Sequence, residues 1–200
     1  MEQRVQRQLE VMDLTLVCQS FPREPMPEIR RENILDTIER TFAGDIEVVM
    51  IEGGEGLGKT TLLAQFARRR ANHAFSLFIK PASSFGCDPA SLRYDLCCQL
   101  LWVLRQEESC KPEDTDEGYL RNRLLELRRR ARREMYYFVI DGLGDIPDEG
   151  VRSTILDMLP FGGGFRFLLS GNLHLLPHHV DWNVCKSSQM VSFSLDETVK

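Results

Sequence analysis

Apolar positions along the chain fall into two alternating rhythms. Short apolar runs at residues 45–51 (DIEVVMI), 74–79 (AFSLFI), 135–140 (MYYFVI), 165–169 (FRFLL) and 190–193 (MVSF) read as strands of a sheet core. Between them the apolar residues are spaced three and four apart, which predicts helices over 59–71, 89–104, 117–133 and 150–159. A further helix is expected over 30–42, through Ile34, Leu35, Ile38 and Phe42, with Gly44 ending it. A polar, acidic loop at 107–116 separates the helices at 89–104 and 117–133. Strands and helices that alternate in this way predict an α/β fold. Upstream, Val5, Leu9 and Met12 have helical spacing, but FPREPMPE (21–28) carries three prolines and cannot continue a helix. The expected division is an N-terminal helical arm and linker over 1–44, followed by the α/β domain over 45–200.

Composition narrows the class. With 200 residues, 42% of them hydrophobic, the chain can bury a core of its own. A formal charge of −5 gives no overall basic field, so nucleic-acid binding is not implied. No run reaches the ~18 apolar residues of a membrane span, and the first residues, MEQRVQRQLEVMD, lack the apolar stretch of a signal peptide. A cytoplasmic protein without a membrane partner is expected. The six cysteines are scattered without a CxxC pair and read as free thiols. At the other end, SLDETVK places Ser194 or Asp196 to cap a helix that has no room to form. A domain cut from a longer protein is expected there, although a short polar tail gives the same pattern.

Candidate chemistry enters at the end of the first strand. Gly53, Gly54, Glu55, Gly56, Leu57, Gly58, Lys59 and Thr60 match G-x-x-x-x-G-K-[ST] between a predicted strand and a predicted helix. A glycine-rich loop lets successive backbone N–H groups curl round a phosphate, and the helix adds the positive end of its dipole. Lys59 is expected to reach the β and γ phosphates, Thr60 to ligate Mg²⁺ and Thr61 to touch the α phosphate. The apolar strand 136–140 delivers Asp141 at its C-terminal end, the place for a second metal anchor. Four residues later Asp145 is a candidate for orienting the attacking water. The expected cofactors are ATP or ADP with Mg²⁺.

The run GGEGLGKTTLLAQFA, the strand-borne DGLGD and FRFLLSGN together resemble the nucleotide-binding domain of STAND ATPases, the signal-transducing class that includes NACHT and NB-ARC proteins. The resemblance spans roughly Phe21 to Glu197 and is specific in the two phosphate motifs. It implies a P-loop NTPase fold with a five-stranded, mainly parallel sheet in order 5-1-4-3-2 and helices on both faces. It also implies a place near the adenine for Arg23, because Arg23-Glu24 resembles a short motif upstream of such domains. Two departures stand out. Gly144 replaces an acid that the family often carries, leaving Asp145 alone and implying slow hydrolysis. Asn172 stands where the family's γ-phosphate arginine is usual, and an amide can hydrogen-bond phosphate but cannot neutralise it.

The function this implies is a nucleotide-controlled switch with weak Mg-dependent ATPase activity, controlling self-association of a longer parent. That parent would supply an effector domain and a C-terminal winged-helix or sensor region. A continuously cycling P-loop enzyme, such as a small-molecule kinase or nucleic-acid motor, is the alternative, and a nucleotide-stabilised scaffold is a third. The arginine clusters at 68–70 and 128–133 lie at predicted helix C-termini, where cations complement the dipole and stay solvated. His174, His178 and His179 lack metal-ligand spacing, and Trp102 reads as core.

Overall fold

The computed structural model describes residues 18, 20–23, 30–80, 86–105, 110–111, 115–162, 164–171 and 191–194. The helix expected over 3–14, Asn172, the histidine trio, Cys185 and the chain's last residues lie outside them. In chain order the elements are α1 (Glu32–Phe42), β1 (Val48–Glu52), α2 (Lys59–Arg69), β2 (Ala74–Phe78), α3 (Pro89–Arg105), α4 (Glu117–Arg130), β3 (Tyr137–Asp141), α5 (Glu149–Asp157), β4 (Arg166–Ser170) and β5 (Val191–Ser194). A single 3-10 turn, Leu143–Asp145, follows β3. This is an α/β arrangement.

The strands pair in the order β2-β3-β4-β1-β5, all parallel. Side chains on a strand alternate between faces, and the core divides accordingly. Val48, Met50, Phe75, Leu77, Phe138, Ile140, Phe167 and Leu169 pack on one face with Leu96 and Leu100 of α3, Leu120 and Leu127 of α4, and Ile155 of α5. Val49, Ile51, Phe78, Tyr137, Val139 and Leu168 pack on the other with Ile38 and Phe42 of α1 and Leu62 and Phe66 of α2. Trp102 is buried and joins this second layer. Strands covered on both sides need apolar residues at nearly every position, hence the unbroken runs in the sequence.

Helix ends follow local chemistry. Asp116 caps α4 by accepting from the Tyr119 N–H, and Asp148 caps α5 by accepting from the Val151 N–H. Gly44 stands just past the end of α1, as expected; Ala43 closes the helix in a right-handed geometry, and the Gly44 N–H bonds the Thr41 carbonyl at 3.2 Å. Helix α4 stops at Arg130, short of the expected 133, in a turn where the Ala131 and Arg133 N–H groups bond the carbonyls of Leu127 and Arg130.

The arginines at helix ends do more than face water. Arg69 pairs with Glu32, Asp36 and Glu39 of α1, and Arg70 with Glu39. Arg68 donates to the Pro22 carbonyl and lies over the Phe21 ring, tying the arm to α2. Arg130 donates to the Val103 and Leu104 carbonyls in the last turn of α3. Cys18, Cys87, Cys97, Cys98 and Cys110 are free thiols.

Candidate functional site

Strand β1 ends at Glu52 and the chain turns through the glycine loop into α2. Gly58 is the N-cap of α2 in the left-handed conformation (φ 82°), a geometry that a residue with a Cβ adopts only under strain. Its carbonyl receives the first helical bond, from the Leu62 N–H at 3.0 Å. No side chain caps this helix, so the N–H donors of its first turn and the positive dipole end face the loop.

Lys59 folds back over the loop, its ammonium donating to the carbonyls of Gly53 and Gly54, each at 2.8 Å. Thr60, next on the helix, donates its hydroxyl to Oδ2 of Asp141 at 2.5 Å. Asp141 is the last residue of β3, only 9% exposed, so its carboxylate is fixed by the sheet. Register explains the meeting: β3 and β1 are both neighbours of β4, and all three run the same way, so their carboxyl ends share one edge.

Gly142 then turns the chain sharply. Its φ is 83°, and a Cβ there would lie 2.4 Å from the Ile79 carbonyl oxygen, so only glycine fits. The Gly142 N–H donates to Ser170 Oγ at the end of β4, at 3.2 Å. The 3-10 turn carries Asp145, exposed, to the mouth of the crevice.

This crevice encloses about 900 Å³. The end of β1, the glycine loop and the start of α2 line it with Glu52, Gly53, Glu55, Gly56, Gly58, Lys59 and Thr60, and the β3 and β4 ends with Asp141, Gly142, Gly144, Asp145, Ser170 and Gly171. Compared with known proteins, the chain matches no family model and shows no significant match to a curated protein. Its own geometry therefore carries the functional argument.

Most of the residues singled out in the sequence come together here. Gly54 lends its carbonyl to Lys59, Leu57 packs against the core behind the loop, and Thr61 is partly buried on the first turn of α2. Arg23 is exposed on the arm and does not line the crevice. Arg166, the arginine on β4, does not line the crevice either. It sits at the opposite end of β4 and donates to the carbonyls of Phe42 and Gly44.

Arg31 belongs to no motif in the sequence. It donates from Nη2 to the Leu57 carbonyl at 2.8 Å, and its backbone N–H bonds Gln65 Oε1 at 3.3 Å, so it braces the glycine loop from behind. One arginine in the run RRENILD gives no local signal of such a role. Glu52 and Ser170 were also missed as lining residues; their signal was position, each being the last residue of a strand aimed at the site.

Proposed function

We propose that this chain is a P-loop nucleotide-binding domain that takes ATP or ADP with Mg²⁺ and acts as the nucleotide-controlled switch of a STAND-type signalling or defence protein. The observation that carries the reading is the contact between the Thr60 hydroxyl and the Asp141 carboxylate, 81 residues apart in sequence. Both are hard oxygen donors, the kind Mg²⁺ selects, and Mg²⁺ keeps most of its waters, so two protein groups are enough. Lys59 and the first turn of α2, which has no side-chain cap among the described residues, stand beside them as anion donors.

Charge supports the same reading. The lining side chains include four carboxylates, Glu52, Glu55, Asp141 and Asp145, against one ammonium, Lys59. That set would repel a bare polyphosphate, whereas a metal complex offers it a cation as well. Lys59 must exchange its two loop carbonyls for phosphate oxygens on binding, and an ionic partner favours that exchange. Switching requires that ATP and ADP stabilise different states, and the γ phosphate is the group that differs.

Calorimetric titration of the chain with ADP and ATP, with and without Mg²⁺, tests the site. Lys59→Ala should weaken both nucleotides about 10- to 150-fold, the worth of a charge-assisted hydrogen bond, and Asp141→Asn should abolish the Mg²⁺-dependent tightening. Unchanged affinity in Lys59→Ala refutes the phosphate assignment. Steady-state ATPase assays paired with light scattering test the switch. Slow turnover agrees with it, and a monomer turning over near the ~10 s⁻¹ of ordinary enzymes favours a continuously cycling enzyme instead.

A further inference from the structure

Cys98 and Cys110 stand apart from the other cysteines. Cys98 lies on α3 and is only 4% exposed; Cys110 follows the helix on the way to α4 and is partly exposed. Their sulfurs are 3.4 Å apart. A disulfide needs ~2.05 Å, so ~1.35 Å remains to be closed, within reach of side-chain rotation and a small shift of the non-helical Cys110. Cys97 is one residue earlier, about 100° round the helix, and is fully buried in the apolar layer. Among the described residues the arrangement therefore offers Cys110 a single partner.

We propose that Cys98 and Cys110 are an oxidisable dithiol that closes to an intramolecular disulfide under peroxide and reopens with a thiol reductant. The accessible Cys110 gives up its proton and, as thiolate, attacks a peroxide oxygen, giving a sulfenic acid and a hydroxide that takes up the released proton as the first water. The Cys98 sulfur then displaces the hydroxyl of that sulfenic acid, forming the S–S bond, and its proton leaves in a second water. Overall, two thiols and one hydrogen peroxide give one disulfide and two waters, and two equivalents of an external thiol reverse the change. Burial, and then the contact with Cys98, push the Cys110 thiol up, so the thiolate is scarce at neutral pH and closure is slow. The bond would pin the start of the α3–α4 connection to the helical turn that carries Gln99, the residue that covers the edge of β2.

The test is peptide mapping without reductant after several hours of peroxide. Trypsin places Cys97 and Cys98 in the peptide 94–105 and Cys110 in 106–121, because Pro112 blocks cleavage after Lys111. The two peptides should appear joined, two hydrogens lighter, in the native chain and in Cys97→Ser. They should be separate in Cys98→Ser and Cys110→Ser, and after dithiothreitol. Circular dichroism checks that each variant folds, and Cys98→Ala replaces Cys98→Ser should the hydroxyl not be tolerated. Closing a loop of about a dozen residues should raise the melting temperature by about 5 to 10 °C. A native chain that gives no joined peptide, or a joined peptide that survives in Cys98→Ser, overturns the proposal.

Discussion

Replacing Gln99 should destabilise the domain through a backbone group that Gln99 alone satisfies. Strand β2 is an edge strand with β3 on one side only, so the polar groups on its outer side need other partners. Gln99 supplies them at the centre: the Ser76 N–H donates to its Oε1 at 2.6 Å, and its Nε2 donates to the Ser76 carbonyl at 2.7 Å. Gln99 and Ser76 are both fully buried, so water cannot stand in. In Gln99→Leu the packing volume is nearly kept, but the Ser76 N–H is left without an acceptor, at a cost of ~1 to 3 kcal/mol. The Ser76 carbonyl loses its amide donor but keeps the Cys18 thiol at 3.3 Å, adding ~0.5 to 1.5 kcal/mol. The total is about 1.5 to 4.5 kcal/mol, or roughly 3 to 18 °C in melting temperature for a domain of this size. Urea unfolding at pH 7 measures it. Adding Cys18→Ala removes the remaining donor, so the double variant should lose more than the sum of the two singles. A Gln99→Leu protein within 0.5 kcal/mol of the parent would refute the reasoning.

Three other outcomes follow from particular contacts. Gly142→Ala should cost at least ~2 kcal/mol, since it adds a clash with the Ile79 carbonyl to a left-handed φ, and thermal unfolding reads it directly. On the proposed function, Asp145→Asn should lose ATP hydrolysis while nucleotide binding is largely kept, because Asp145 is exposed at the crevice mouth and Asp141 makes the contact to Thr60; single-turnover assays beside titrations separate the two. Stability should fall as pH rises from about 9 towards 12: burial, then the neighbouring Cys98 thiol, pushes the Cys97 thiol up to about 12, so the unfolded chain releases this proton first, and urea midpoints that stay flat over this range would contradict it.

Much of the fold was legible because it rests on local periodicity. Tyr137, Phe138, Val139 and Ile140 are buried on both sides of the sheet, and the sequence is apolar at each of them. Strand ends moved because pairing sets them: β3 begins at Tyr137, opposite Ala74, and extends to Asp141, opposite Phe78, so Met135 falls outside and Asp141 inside. The meeting of the glycine loop, Lys59, Thr60 and Asp141 at one crevice was legible for another reason: the loop follows one strand and Asp141 ends another, and parallel strands bring those ends together; on the proposed function, phosphate and metal chemistry also restrict which residues can stand at those spacings. What escaped depends on partners distant in sequence. Arg68, Arg69 and Arg70 read as a solvated cluster, yet their acceptors lie on the arm and on α1. Gln99 sits in the apolar run CCQLLW, where nothing local says that its amide faces a strand edge. Arg31 is hidden in the same way, because its acceptor is a backbone carbonyl 26 residues on.

The two ends of the sheet are built to opposite requirements. At the amino end of β4, Arg166 is held by the Phe42 and Gly44 carbonyls, and it lies 4.0 Å from the Glu47 carboxylate. These acceptors lie at the end of α1 and in its connection to β1, so the arginine serves as a clamp on the chain's path. At the carboxyl end, the Thr60 and Lys59 side chains hold carboxylate or loop carbonyl oxygens, and on the proposed function a metal or a phosphate takes over these contacts. A clamp needs partners that never leave, whereas a binding site needs partners that can be exchanged. Main-chain carbonyls serve the first need, and on the proposed function the Lys59 ammonium and the Asp141 carboxylate beside a glycine-rich loop serve the second. Substitutions at the two ends should therefore separate cleanly. Arg166→Ala is expected to lower stability and leave nucleotide affinity unchanged, while Lys59→Ala does the reverse. A loss of affinity in folded Arg166→Ala would mean that the two ends are coupled through β4.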